Sequence, residues 1–122
     1  MYTAHVLTEQ SRNALALQFP PKYEKFVGHH ITEQFGVPAD SEIPEAAEVV
    51  VRGIVDSGDG LEALVVTVDG EYKRPAGGQY HITWSLDPSK YAPKDSNGLI
   101  ENTYRSKLTL PIPIETEPKL LG

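Results

Sequence analysis

Apolar positions recur mostly every second residue, in short runs bounded by Gly, Pro, Asn and Asp, the pattern of half-buried strands. "YTAHVLT", residues 2 to 8, predicts a first strand. "SRNALALQFPPK" opens with Ser11, a favoured N-cap residue, and predicts a helix over 12–18 that Pro20 and Pro21 stop. Leu15 and Phe19 mark its buried side. "KFVGHHITEQFG" predicts one strand over 25–36. "AEVVVRGIVDSGDGLEALVVTVDG" predicts two strands joined at Asp59-Gly60, with Asp69-Gly70 as the next turn. The loop "EYKRPAGG" leads into the strand "YHITWSL", residues 80 to 86. "APKDSNGLIENTYRS" predicts a short helix near 96–104, capped by Asp95 or Ser96. "KLTLPIPIE" predicts an edge strand, because Pro111 and Pro113 cannot donate to a ladder. The residues after it are expected to be a tail. The expectation is a single α+β domain over 1–122, with residues 105–122 as edge strand and tail.

Composition narrows this little. The 122 residues can bury a core without covalent staples, and with no cysteine there is neither disulfide nor thiolate metal site. No basic, apolar leader opens the chain and no apolar run reaches membrane-spanning length, so a cytoplasmic protein with no membrane partner is expected. The formal net charge of -6 argues against long duplex nucleic acid as a partner. It leaves room for a small phosphorylated ligand held by local donors.

One tripeptide occurs twice. "HIT" stands at 30 to 32 and again at 81 to 83, both times in a predicted strand. Alternation puts His30 with Thr32 on one face, and His81 with Thr83 on another. Were the strands neighbours, two imidazoles and two hydroxyls would converge. That set suits phosphodiester chemistry without metal. One imidazole takes a proton from the attacking oxygen and the other gives one to the leaving oxygen. The hydroxyls donate to non-bridging oxygens where charge builds. Which histidine is acid and which is base stays open. No carboxylate accompanies the histidines at a zinc-ligand spacing, so neither metal nor organic cofactor is expected.

"HHIT" and "YHITWSL" resemble the two signatures of the 2H phosphoesterase (LigT-like) superfamily, over roughly residues 2 to 102. "LEALVVTVDG" before the second signature is similar to small bacterial and phage members. The resemblance implies a two-lobed antiparallel sheet arrangement with pseudo-twofold symmetry and short flanking helices. It implies action on cyclic phosphates or phosphodiesters of small nucleotides or oligonucleotides, such as 2′,3′-cyclic phosphates or RNA ends. Some phage members degrade cyclic oligonucleotide signals of host defence. Carried over, His30 and His81 would be the acid–base pair, and Thr32 and Thr83 the phosphate anchors. The two histidines lie closer in sequence than in larger members, so peripheral pocket elements are expected to be missing. Glu33 departs from the apolar residue usual after the first signature. It is harmless if the strand ends there; leaning into the cleft, it would repel phosphate or orient a histidine.

Other residues take plainer expectations. His29 should face away from His30 as a supporting or packed side chain, and His5 should be structural or exposed. Tyr80, Ile82 and Trp84 should pack the core; a base-stacking role for Trp84 is the weaker alternative. Ser85 shares the parity of His81 and would extend the polar patch. Lys73 and Arg74 precede the second signature and could close over a phosphate, or simply be solvated. "DSGDG" lacks the ligand pattern of a calcium loop and is a turn. Two rival functions remain: a nucleotide-binding module without chemistry, and a factor that sequesters a host protein.

Overall fold

The computed structural model describes residues 1–102 and 106–122. Among the described residues, eight strands form two antiparallel sheets, with two short α-helices. The first sheet joins β1 (Tyr2–Leu7), β3 (His30–Phe35) and β8 (Thr116–Leu121) in the order β3-β1-β8. The second joins β2 (Lys25–Phe26), β4 (Val49–Asp56), β5 (Leu61–Val68), β6 (His81–Leu86) and β7 (Ser106–Ile114) in the order β2-β6-β5-β4-β7. The α+β class read from the sequence is the class observed.

One buried cluster links the sheets. Leu7 and Ile31 come from the first, Val51, Leu64, Ile82 and Trp84 from the second, and Leu15 from helix α1 (Glu9–Gln18). Helix α2 (Ser96–Asn102) covers the other face of the second sheet, setting Ile100 against Val55, Ala63 and Val65. The strand alternation of β5 explains this: Leu64 and Val66 point to one layer, Ala63 and Val65 to the other.

The turns follow their chemistry. Asp69 and Gly70 both have positive φ, 49° and 82°, as a tight hairpin of matching twist requires. Past that turn, residues 71–80 are not an open loop. Tyr80 N–H donates to the Tyr72 carbonyl and Arg74 N–H to the Gly78 carbonyl, closing a small second turn.

Several expectations are corrected. Helix α1 starts three residues earlier than the sequence suggests: its N-cap is Thr8, whose Oγ1 accepts from Ser11 N–H at 3.2 Å. Ser11 serves elsewhere, its Oγ accepting from Glu115 N–H at 2.8 Å and tying the helix to the β7–β8 turn. The expected tail is strand β8, paired with β1 along its whole length from Thr116 to Leu121. Its Pro118 is tolerated because β8 is a sheet edge. Helix α2 ends at Asn102; residues 103 and 104, into which it was expected to continue, lie outside the described residues.

The correction that matters for function is the strand expected over 25–36. It is two strands in two sheets. Val27 N–H donates to the Trp84 carbonyl and Gly28 N–H to the Thr83 carbonyl, so the chain is still bonded to β6 there. One residue later His29 gives its carbonyl to Leu7 N–H of β1, in the other sheet. Gly28 makes the crossing at φ 45°, and a Cβ there would lie 2.4 Å from the Phe26 ring and 2.9 Å from the Trp84 ring. Arg12 of α1 holds the crossing from outside. Its guanidinium donates to the carbonyls of Val27 and Gly28 at 3.2 and 3.1 Å and lies 3.8 Å over the Phe26 ring. The first "HIT" therefore begins at the point where the chain leaves the backbone of the second.

Candidate active site

Because of that crossing, β3 runs beside β6 at the seam of the two sheets. His30, Thr32, His81 and Thr83 all line one cleft of about 290 Å³. Their partners in alternation, Ile31 and Ile82, are fully buried in the core. The face assignment made from period-two alternation holds at all four positions.

His81 is set by its backbone. Its Nδ1 lies 2.8 Å from the Gln79 carbonyl, which can only accept, so Nδ1 carries the hydrogen. Nε2 is then the lone-pair nitrogen of the neutral ring. Burial lowers the His81 pKa; the bond to Gln79 opposes that, and the Arg74 charge adds to the lowering. His30 is lowered further, to about 4, by burial first and then by the charges of His29 and His81.

A pH dependence of stability follows. His30 titrates near 6.5 when unfolded and near 4 when folded, so the unfolded chain binds more protons between those values. Stability contributed at neutral pH is lost as pH falls through this window, by up to about 3 kcal/mol and less for the solvated part of the ring. Urea midpoints of the wild-type protein and His30→Asn at pH 7 and pH 4.5 check this. The acid loss should be smaller in the variant.

The two threonines differ. Thr32 lines the cleft at 8 % exposure. The Thr83 Oγ1 donates to the Pro93 carbonyl at 3.1 Å and lies 2.8 Å from Ser96 Oγ. It thereby fastens the 3₁₀ turn Pro93–Asp95 and the start of α2 against the cleft. That attachment brings Lys94 and Asn97 into the lining. Arg74 reaches the same wall, its Nη2 donating to Asn97 Oδ1 at 3.3 Å and its Nε to the Gly77 carbonyl at 3.1 Å. Lys73, the other cation expected here, is exposed and is not among the cleft residues.

The opposite wall is aromatic. Tyr2 lies between His30 and Phe35, with ring centroids 5.3 and 5.6 Å away, and the Arg74 guanidinium lies 5.6 Å over the Phe35 ring. Phe35 is 58 % exposed. Strict alternation would have pointed it into the core with Ile31. A register shift in β3 carries it to the cleft: Thr3 pairs with Gln34 but Ala4 with Thr32, leaving Glu33 as the extra residue.

Glu33 does not lean into the cleft, nor does the strand end there. Its carboxylate turns inward to Tyr80 O–H, 2.9 Å away, and to His5 Nε2, 3.0 Å away. His5 is buried, as one of its two expected readings had it. Two further expectations are reversed. His29 does not face away from His30: the two Nδ1 atoms are 3.0 Å apart. Strand alternation does not apply because β3 begins only at His30. Ser85 is not part of the patch. A second shift, between Glu62↔Ser85 and Ala63↔Thr83, turns it to the other face, where its hydroxyl donates to Glu62 Oε1 at 2.6 Å.

Among the described residues, no three His, Cys, Asp or Glu side chains gather into a metal-binding group, and no helix is long and apolar enough to cross a membrane. Comparison with protein families, with curated proteins and with solved structures returns no match.

Proposed function

We propose that the protein is a metal-independent phosphoesterase of the 2H type that opens a cyclic phosphate or cleaves a phosphodiester in a small nucleotide or oligonucleotide. The observation that carries this reading is the meeting of His30 and His81, each followed by its threonine, in one cleft. The two sheets each bring one motif to the seam, which supports the resemblance and its pseudo-twofold arrangement. Cytoplasmic action, including in a phage host, fits the chain's composition.

In the reaction, His81 is the base, since its Nδ1–H is committed to Gln79 and its Nε2 is free to take a proton. It removes the proton of a water as the water oxygen bonds to phosphorus. The bond from phosphorus to the leaving oxygen breaks, and His30 supplies that oxygen with a proton. A bound phosphate anion raises the His30 pKa, working against the burial, first, and then the charges of His29 and His81 that lower it. Thr32 donates to a non-bridging oxygen. Thr83 joins it by rotating its hydroxyl from the Pro93 carbonyl. Arg74 and Lys94 supply positive charge at the same wall of an otherwise acidic chain, and Tyr2 and Phe35 offer flat surface to a nucleobase.

The test is turnover of nucleoside 2′,3′-cyclic phosphates and of cyclic oligonucleotides with EDTA present. Phosphomonoester or linear product is expected, with KM rising severalfold in Arg74→Ala, by an amount that shrinks at high salt. Retention of nucleotide without product would favour the binding-module reading instead. Neither turnover nor binding would sink both.

A further inference from the structure

Resting on the two-histidine reading, we propose that Glu33 and Tyr80 are positioning residues whose hydrogen bond latches the two motif strands together behind the cleft and sets the spacing of His30 and His81. The placement is symmetric in sequence. Glu33 directly follows Thr32, and Tyr80 directly precedes His81. One belongs to the first sheet and the other leads into the second, and their side chains meet at 2.9 Å.

The latch is built into the interior. Tyr80 is 4 % exposed and packs within the shared core, so its hydroxyl has a fixed origin. The second carboxylate oxygen of Glu33 is held by His5 Nε2 from β1 at 3.0 Å. His5 is 1 % exposed and its Nδ1 is buried with no hydrogen-bond partner. The imidazole thus serves Glu33 through one nitrogen and leaves the other unsatisfied, a cost accepted to hold the carboxylate.

A partly buried carboxylate, its side chain 22 % exposed, is a poor way to gain stability. An apolar side chain of similar volume would fill the space without desolvating a charge. What the carboxylate supplies is direction, because its two oxygens take fixed donors from β1 and from the start of β6. The bulge leaves Glu33 on the inward side that alternation from Ile31 gives it, and carries Phe35 to the cleft side with His30 and Thr32. Acid–base catalysis by two separate rings is sensitive to such spacing, as a misplacement near 1 Å costs up to about 10²-fold in rate.

Tyr80→Phe removes one oxygen and leaves the ring in the core; Glu33→Ala removes the acceptor, and Glu33→Gln keeps an oxygen for Tyr80. Two readouts are needed: NMR titration of the His30 and His81 rings, and kcat and KM on a 2′,3′-cyclic nucleotide. We expect Tyr80→Phe and Glu33→Ala to move the His30 midpoint upward, toward its ordinary value, as the rings separate and water enters. They should lower kcat by about tenfold to 10²-fold with KM within about twofold. Glu33→Gln should restore much of both. Unchanged histidine titrations in Tyr80→Phe and Glu33→Ala, with only the melting temperature lowered, would overturn the latch. The titration decides it even where the wild-type protein turns over no substrate, an outcome that counts against the proposed chemistry alone.

Discussion

His30→Ala and His81→Ala should each lower kcat on the responsive substrate by about 10²- to 10⁴-fold, the range a positioned acid or base contributes. Far-UV circular dichroism should be unchanged, because both rings line a cleft rather than the core between the sheets. The double variant should be little worse than the poorer single one. Once one proton carrier is gone, the other has no partner step to complete. The two variants should differ in their pH–rate profiles. The wild-type profile should be a bell, with one limb from the base and one from the acid. Losing His81, the assigned base, should remove the acid-side limb; losing His30, the assigned acid, the alkaline-side limb. Exchanged limbs would reverse the assignment made from the Gln79 hydrogen bond. Full activity in either variant would end the two-histidine reading.

How much of this was legible in the chain depends on where period-two alternation survives. At His30-Ile31-Thr32 and His81-Ile82-Thr83 it does, and the cleft and core faces could be read from the letters. Past Glu33 and between Thr83 and Ser85 a register shift breaks it, so Phe35 reaches a cleft where no expectation had placed it, and the expectation for Ser85 fails. A bulge adds one residue to one strand and leaves no mark in composition, so only pairing with the neighbouring strand exposes it. The Asp69-Gly70 turn was legible because such a pair favours positive φ at both residues. Gly28 was not. A lone glycine within an apolar run reads as a weak point in a strand, and nothing local says that the chain changes sheets there. Lys94 and Asn97 were missed for a similar reason. "PKDSN" was read only as a helix start, whereas its place beside the cleft comes from the hydrogen bonds of Thr83 to Pro93 and Ser96. The expected tail failed because β8 gains its order from β1, more than a hundred residues earlier in the chain.

The largest effect on stability should come from Trp84→Ala, about 3–5 kcal/mol, against a total of roughly 5–15 kcal/mol for a domain of this kind. Trp84 is completely buried, stacks edge-on against Phe26 at 4.8 Å, and donates its indole N–H to the Phe19 carbonyl at 2.8 Å. That bond ties β6 to the end of α1, and the same ring closes over Gly28, so its loss opens a cavity where the chain changes sheets. Trp84→Phe keeps most of the volume but strands the Phe19 carbonyl, and should cost about 1–3 kcal/mol. Urea unfolding followed by circular dichroism measures both; Trp84 is the sole tryptophan, so its fluorescence cannot serve in the variants. The pair of variants also separates packing from ligand contact. A base-stacking Trp84 would show a raised KM in Trp84→Phe with little change in stability. A ring at 0 % exposure predicts the reverse, because no base can reach it while the sheets are assembled. Where Trp84→Phe also lowers kcat, the loss should appear with the His30 titration shifted, since what the indole holds in place is the crossing from which His30 emerges.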